Sequence, residues 1–292
     1  RDIGVTGVQT CALPISWLLR AGRLVPEGVQ VLQRLAATAP VTFELCRRIG
    51  ALQQATGDEG GAAVTWTRAA GLQPDNAEAV EIAASLWFRI GRLKEAHDVL
   101  MAARRCNALS AAGLGQLAAV ADRRGDRELR SQLTAELMGL EILPLSVARL
   151  VTSFLLEEDR AHEALAIAER AIARSPQDAG MWLEVGRACL LLNDCTRAAG
   201  ALRRALDQGL KGEPRRDAER LLRLCMVPGL FLAMRQVDAA LTARDHATAL
   251  RIAAQLVRRA SDSAESWLFL GIVRQRLGHG WRAERALRRA LG

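Results

Sequence analysis

The chain has 292 residues, half of them hydrophobic and 25% charged, and its formal charge is +8. That balance excludes a disordered chain, a collagen, a disulfide-rich miniprotein and a β-sandwich. No apolar run reaches the roughly 18 residues that a membrane-spanning helix needs. The chain holds 52 alanines, 38 arginines, two lysines and no tyrosine. This is the bias of a GC-rich coding sequence and points to a bacterial source, which lessens what arginine abundance says about function.

Val5–Ser16 resembles a translated short-read sequencing adapter of the kind met in metagenomic assemblies. Residues 1–16, with Cys11, are therefore expected to be a non-native artefact. Residues 17–42 read as a partial N-terminal repeat, its second helix running to Pro40.

A period of 34 residues starts at Phe43. It predicts units 43–76, 77–110, 111–144, 145–178 and 179–212, then 230–263 and a shortened 264–292. Position 20 of each unit reads Ala62, Ala96, Arg130, Ala164, Ala198, Ala249 and Ala283. Position 8 reads Gly50, Ala84, Ala118, Thr152, Gly186, Val237 and Gly271. Small residues at fixed phases let two antiparallel helices approach closely. Apolar residues around them give each helix one greasy face. Turn signals fall at positions 15 and 16: Gly57-Asp58, Gly91-Arg92, Gly125-Asp126, Asp159-Arg160, Asn193-Asp194, Arg244-Asp245 and Gly278-His279. Gly or Asn ends one helix there and Asp caps the next. Pro74 and Pro176 stop second helices. The unit 111–144 departs most, with Arg130 and Leu137 at small-residue phases, and looser packing is expected there.

Residues 213–229 are half a repeat. Pro214 suits a first helical turn, and Val227-Pro228-Gly229 breaks the helix. This segment is expected to act as a hinge between two arrays or as a cap on the first.

The pattern resembles the tetratricopeptide repeat. The match is strongest in 179–212, through Trp182, Val185, Gly186, Ala198, Ala205 and the Asn193-Asp194 turn, and nearly as strong in 264–292, through Trp267, Leu270, Gly271, Gly278, Ala283 and Ala290. The resemblance implies an all-α, right-handed superhelical solenoid of antiparallel helix pairs. It further implies a non-enzymatic scaffold that binds a peptide or protein along a concave groove lined by first helices. Carried onto this chain, the groove positions give Arg47, Arg48, Glu81, Phe88, Arg89, Arg123, Arg149, Arg187 and Arg235. Arginine pairs bidentately with carboxylates, so an acidic partner is expected. The interleaved acids offer the same arginines partners within the chain. No Lys or Asn stands at these positions for the carboxylate clamp of the chaperone-binding members.

No catalytic motif is present: there is no P-loop, nucleophile elbow or HExxH. Gly113-Leu-Gly-Gln-Leu-Ala118 lies inside a first helix with no preceding strand, so it is not a dinucleotide site. Neither cofactor nor metal is expected. The four histidines lack zinc spacing, and the cysteines besides Cys11 read as core residues of a reducing compartment, consistent with a cytoplasmic location. The isoelectric point is about 10.1, but the basic residues are spread over all units. Trp66, Trp87, Trp182 and Trp267 sit at packing phases, so nucleic acid is not the expected partner. The alternative reading is the docking region of a larger bacterial sulfotransferase or glycosyltransferase whose catalytic domain lies beyond residue 292.

Overall fold

The computed structural model describes residues 41–227 and 229–291; the expectations for residues 1–40 lie outside them. The described residues form an all-α solenoid of antiparallel helix pairs, with no strand among them. They divide into two compact units between Val147 and Ala148.

The first unit contains α1 (Phe43–Ala55), α2 (Glu59–Leu72), α3 (Ala77–Arg89), α4 (Leu93–Arg105), α5 (Ala111–Arg124) and α6 (Arg127–Met138). Helix α7 (Leu145–Glu157) spans the division. The second unit continues with α8 (Ala161–Arg174), α9 (Ala179–Leu191), α10 (Cys195–Asp207), α11 (Gly212–Cys225), α12 (Leu230–Thr242), α13 (His246–Arg259), α14 (Ala264–Arg276) and α15 (Gly280–Leu291).

Local chemistry explains why each pair folds back on itself. The residue at position 15 is left-handed in all seven turns, with φ from 59° at Arg244 to 83° at Gly91. Three of these residues, Asp159, Asn193 and Arg244, are not glycine and carry a conformational cost of about 1–2 kcal/mol each. The reversal lets the position-16 amide donate back to the position-11 carbonyl, as in Asp58 N to Gln53 O at 2.9 Å and Asp194 N to Cys189 O at 2.8 Å. Aspartates at position 16 then cap the second helices. Asp58, Asp126, Asp194 and Asp245 accept from the amide three residues on at 2.8–3.1 Å, each cap being worth about 1 kcal/mol. Asn76, Ser110, Asp178 and Ser263 do the same for the following first helices.

Packing follows the small-residue phases. Ala62, Ala96, Ala164, Ala198 and Ala249 are fully buried at the helix crossings. A methyl group added to Gly186 would lie 2.6 Å from Leu202, and one added to Gly271 would lie 2.6 Å from Leu287. At Gly50 the indole of Trp66 fills the corresponding space. Around these crossings Leu100, Leu117, Leu133 and Leu137 are buried in the first unit, and Leu155, Leu190 and Leu202 in the second. Each buried leucine contributes about 1.5–3 kcal/mol. Arg130 replaces the crossing alanine between α5 and α6. Its guanidinium turns to Asp122 at 2.7 Å with 12% of the side chain exposed, while Leu137 is fully covered.

Helix α11 has no partner helix of its own. It packs on α10 and α9 through Ala218, Leu221 and Cys225, and meets α12 at 99°. Val227, Leu230, Ala233 and Leu256 form a small core beside the bend. A larger core of Val237, Ala249, Ala253, Val257, Leu270 and Val273 joins α12, α13 and α14.

Candidate partner-binding groove

In the second unit, α7, α9, α11 and α12 enclose an open groove of about 720 Å³. Helix α7 supplies Ser153, Leu156 and Glu157, and α9 supplies Arg187 and Leu191. Helix α11 adds Glu213, Pro214, Asp217, Arg220 and Leu221, and α12 adds Phe231 and Arg235. Pro214 stands in the first turn of α11, where its missing N–H leaves no helical bond unmade. Asp217 and Leu221 follow at spacings of three and four, so all three share one face of the helix. Leu156, Leu191, Leu221 and Phe231 give the groove an apolar floor.

Charged pairs surround that floor. Arg187 is the hub: its Nη2 donates to Asp217 Oδ2 at 2.5 Å and its Nη1 to Glu184 Oε1 at 2.9 Å. Arg220 Nη2 donates to the other oxygen of Asp217 at 2.6 Å. Burial works against ionisation of Asp217, but hydrogen bonds and charge from Arg187 and Arg220 hold its carboxyl below the usual range. Glu184 goes the other way. Burial pushes its carboxyl up, only partly opposed by Arg187, and its Oε2 has no hydrogen-bond partner among the described residues. Arg235 grips Asp159 with both terminal nitrogens, at 2.6 and 2.8 Å. That hydrogen bonding lowers the Asp159 carboxyl. Asp159 is itself the left-handed turn residue between α7 and α8, so the pair ties a turn to the groove wall.

Of the nine residues named from the sequence, Arg187 and Arg235 line this groove. Arg149 lies over the backbone of Gly180 at the start of α9, and its charge acts on Glu184. The other six belong to the first unit. Arg47 and Arg48 both bind Glu44, at 2.8 and 2.7 Å, and hold that carboxyl at about 2. Arg89 pairs with Glu59. Glu81 accepts from the hydroxyl of Ser110, the cap of α5. The Arg123 guanidinium lies 5.4 Å from the Phe88 ring centre. The arginines of the named positions are thus largely neutralised inside the chain. Pro214, Asp217, Arg220 and Leu221 were not expected in the groove from sequence, because α11 lies outside the repeat register. Its three-and-four spacing of Pro214, Asp217 and Leu221 was the available signal.

Among the described residues, no group of three His, Cys, Asp or Glu side chains is placed to hold a metal ion. No single helix among them is long and apolar enough to cross a membrane. The groove has the means to bind apolar and charged groups.

A sequence profile of the tetratricopeptide repeat matches residues 155–212, the stretch from the end of α7 through α10. Residues 155–212 carry tetratricopeptide repeats. Among solved structures, the chain's helix pairs are similar to the APC/C hetero-tetramer Cut9–Hcn1, with 13% identity and a TM-score of 0.52 over 95% of this chain and 48% of that one. They are also similar to YrrB, described as a TPR protein with an unusual peptide-binding site, at 15% identity and TM-score 0.49 over 68% and 99% of the two chains. MamA follows at 16% identity and TM-score 0.48, over 57% and 91%. At such identities the likeness speaks to fold alone. No curated protein matches the chain.

Proposed function

We propose that this repeat protein is a non-enzymatic scaffold that holds a peptide segment in the groove between α7, α9, α11 and α12. The observation that carries the reading is the apolar floor of Leu156, Leu191, Leu221 and Phe231, ringed by arginine–carboxylate pairs. The half-buried Leu156, Leu191 and Phe231 still have surface to cover. A leucine or phenylalanine from a partner, seated there, contributes about 1.5–3 kcal/mol. Arg220 and Arg235 have 68% and 41% of their side chains exposed. Exposed pairs are worth about 0–1 kcal/mol, so a partner's carboxylate takes over these arginines at little cost. The partner is therefore a segment carrying both apolar and acidic side chains. Arg187 is held from both sides by Glu184 and Asp217 and shapes the groove instead.

The test is selection of a random dodecapeptide library on the full chain, followed by affinity measurement on variants. Enriched peptides should combine apolar and acidic residues. They should bind Phe231→Ala about tenfold more weakly, the usual scale of a central anchor, and Arg235→Ala more weakly as well. Peptides that bind both variants with full affinity would overturn the proposal.

A further inference from the structure

The helix pairs α9–α10 and α14–α15 are counterparts in the repeat register, and each forms a crevice beside a tryptophan. In the first, Trp182 donates its indole N–H to the Pro176 carbonyl at 2.8 Å and lies 4.7 Å from the Arg204 guanidinium. In the second, Trp267 donates to the Ser261 carbonyl at 2.7 Å and lies 4.5 Å from Arg289. The frame is the same and the lining is not. Arg197 in the first crevice is neutralised by Glu169. Its counterpart Arg282 faces no such acid, because Ala254 stands where Glu169 would be. Cys189 is replaced by Arg274, Gly200 by Arg285 and Thr196 by Trp281.

The second crevice, of about 250 Å³, is therefore lined by four arginines and two tryptophans, with no carboxylate among its lining residues. The neighbouring Glu284 is engaged by Arg288 at 2.6 Å. Burial and the adjacent Arg282 and Arg285 charges push the Arg274 guanidinium down from its ordinary value. Trp281 is 67% exposed, with Arg282 stacked 5.0 Å from its ring centre. Like charges gathered without counter-charge favour an anion. Arginine forks match phosphate oxygens in particular. An exposed indole beside them adds what a carboxylate-rich peptide does not need: a flat face on which an unpaired base stacks.

We infer that the α14–α15 crevice, built from Arg274, Trp281, Arg282, Arg285 and Arg289, is a binding site for single-stranded nucleic acid. This site is separate from the proposed peptide groove and does not depend on it. The phosphates lie along the arginines and a base stacks on Trp281.

Fluorescence anisotropy with a short labelled oligouridine and the full chain tests the inference. The Arg282→Gln/Arg285→Gln variant should weaken binding about tenfold or more. It should also flatten the slope of log affinity against log salt by about 1.4, roughly 0.7 for each phosphate no longer neutralised. Trp281→Ala should weaken binding about fivefold or more, the low end for removal of one stacked base. Arg104→Gln/Arg105→Gln removes the same charge elsewhere and should stay within about twofold of the parent. Trp281, Arg282 and Arg285 are exposed, so the far-UV circular dichroism melt of their variants should not change. The inference is overturned if the parent does not bind at low salt, or if Arg282→Gln/Arg285→Gln behaves like the Arg104→Gln/Arg105→Gln control. Full affinity in Trp281→Ala, or a polyglutamate peptide competing as well as the oligonucleotide, would overturn it too.

Discussion

Replacing Gly186 by alanine places a methyl carbon 2.6 Å from both Cγ and Cδ2 of Leu202, a side chain with no exposed surface. Two effects compete. Alanine in a helix interior is favoured over glycine by about 0.8–1 kcal/mol, whereas an extra methyl in a packed crossing costs about 1–3 kcal/mol. Leu202 is branched at the clashing atom and enclosed on all sides, so the packing term prevails, and Gly186→Ala is expected to destabilise by up to about 2 kcal/mol. Gly200, one helix later, provides the control, because a methyl there meets nothing within 4 Å. Gly200→Ala should show the propensity gain alone. The difference between the two variants isolates the helix crossing and should be about 1–3 kcal/mol. A stacked array does not unfold as one unit, so the suitable assay is hydrogen exchange of the α9 and α10 amides, which reads local opening. Gly200→Ala should slow that exchange about fivefold and Gly186→Ala should hasten it. If both variants slow exchange equally, the close approach of α9 and α10 is wrong.

Two further outcomes concern titration. Hydrogen bonds from Arg47 and Arg48 hold the Glu44 carboxyl at about 2 instead of its ordinary 4.5. The ion cluster therefore stabilises the fold above pH 4.5, and that contribution is lost as pH falls through about 2. Glu44 is 47% exposed, so the contribution stays below about 1 kcal/mol. Carbon-detected NMR of Glu44 should give a midpoint near 2 that moves toward 4.5 in Arg47→Gln/Arg48→Gln; an ordinary midpoint in the parent refutes the pairing. Burial also pushes the Cys189 and Cys225 thiols to about 11, whereas Cys106 is exposed. Iodoacetamide at mildly alkaline pH should thus alkylate Cys106 in the native protein and leave Cys189 and Cys225 until denaturant is added, as peptide mass spectrometry would show. Early labelling of Cys189 would contradict its burial.

The helix-pair architecture was legible because its causes are local and repeat. A small residue at position 20, a left-handed residue at position 15 and a cap at position 16 act within a few residues of one another, so their spacing exposes them. Even the departure at Arg130 carries its reason nearby, in Asp122 on the preceding helix. The groove was legible only in outline. Register placed Arg187 and Arg235 on first helices, but it says nothing about what a guanidinium meets across space.

Sequence by itself determined the all-α class, the 34-residue period and the turn chemistry, since steric fit and capping are read over one helix pair. Tertiary structure alone decided which charges cancel. Arg235 meets Asp159 from 76 residues away and Arg187 meets Asp217 from 30, while α11, outside the period, builds one wall of the groove. Coulomb attraction and burial depend on distance through space, and the fold brings those residues together without leaving a periodic trace in the chain.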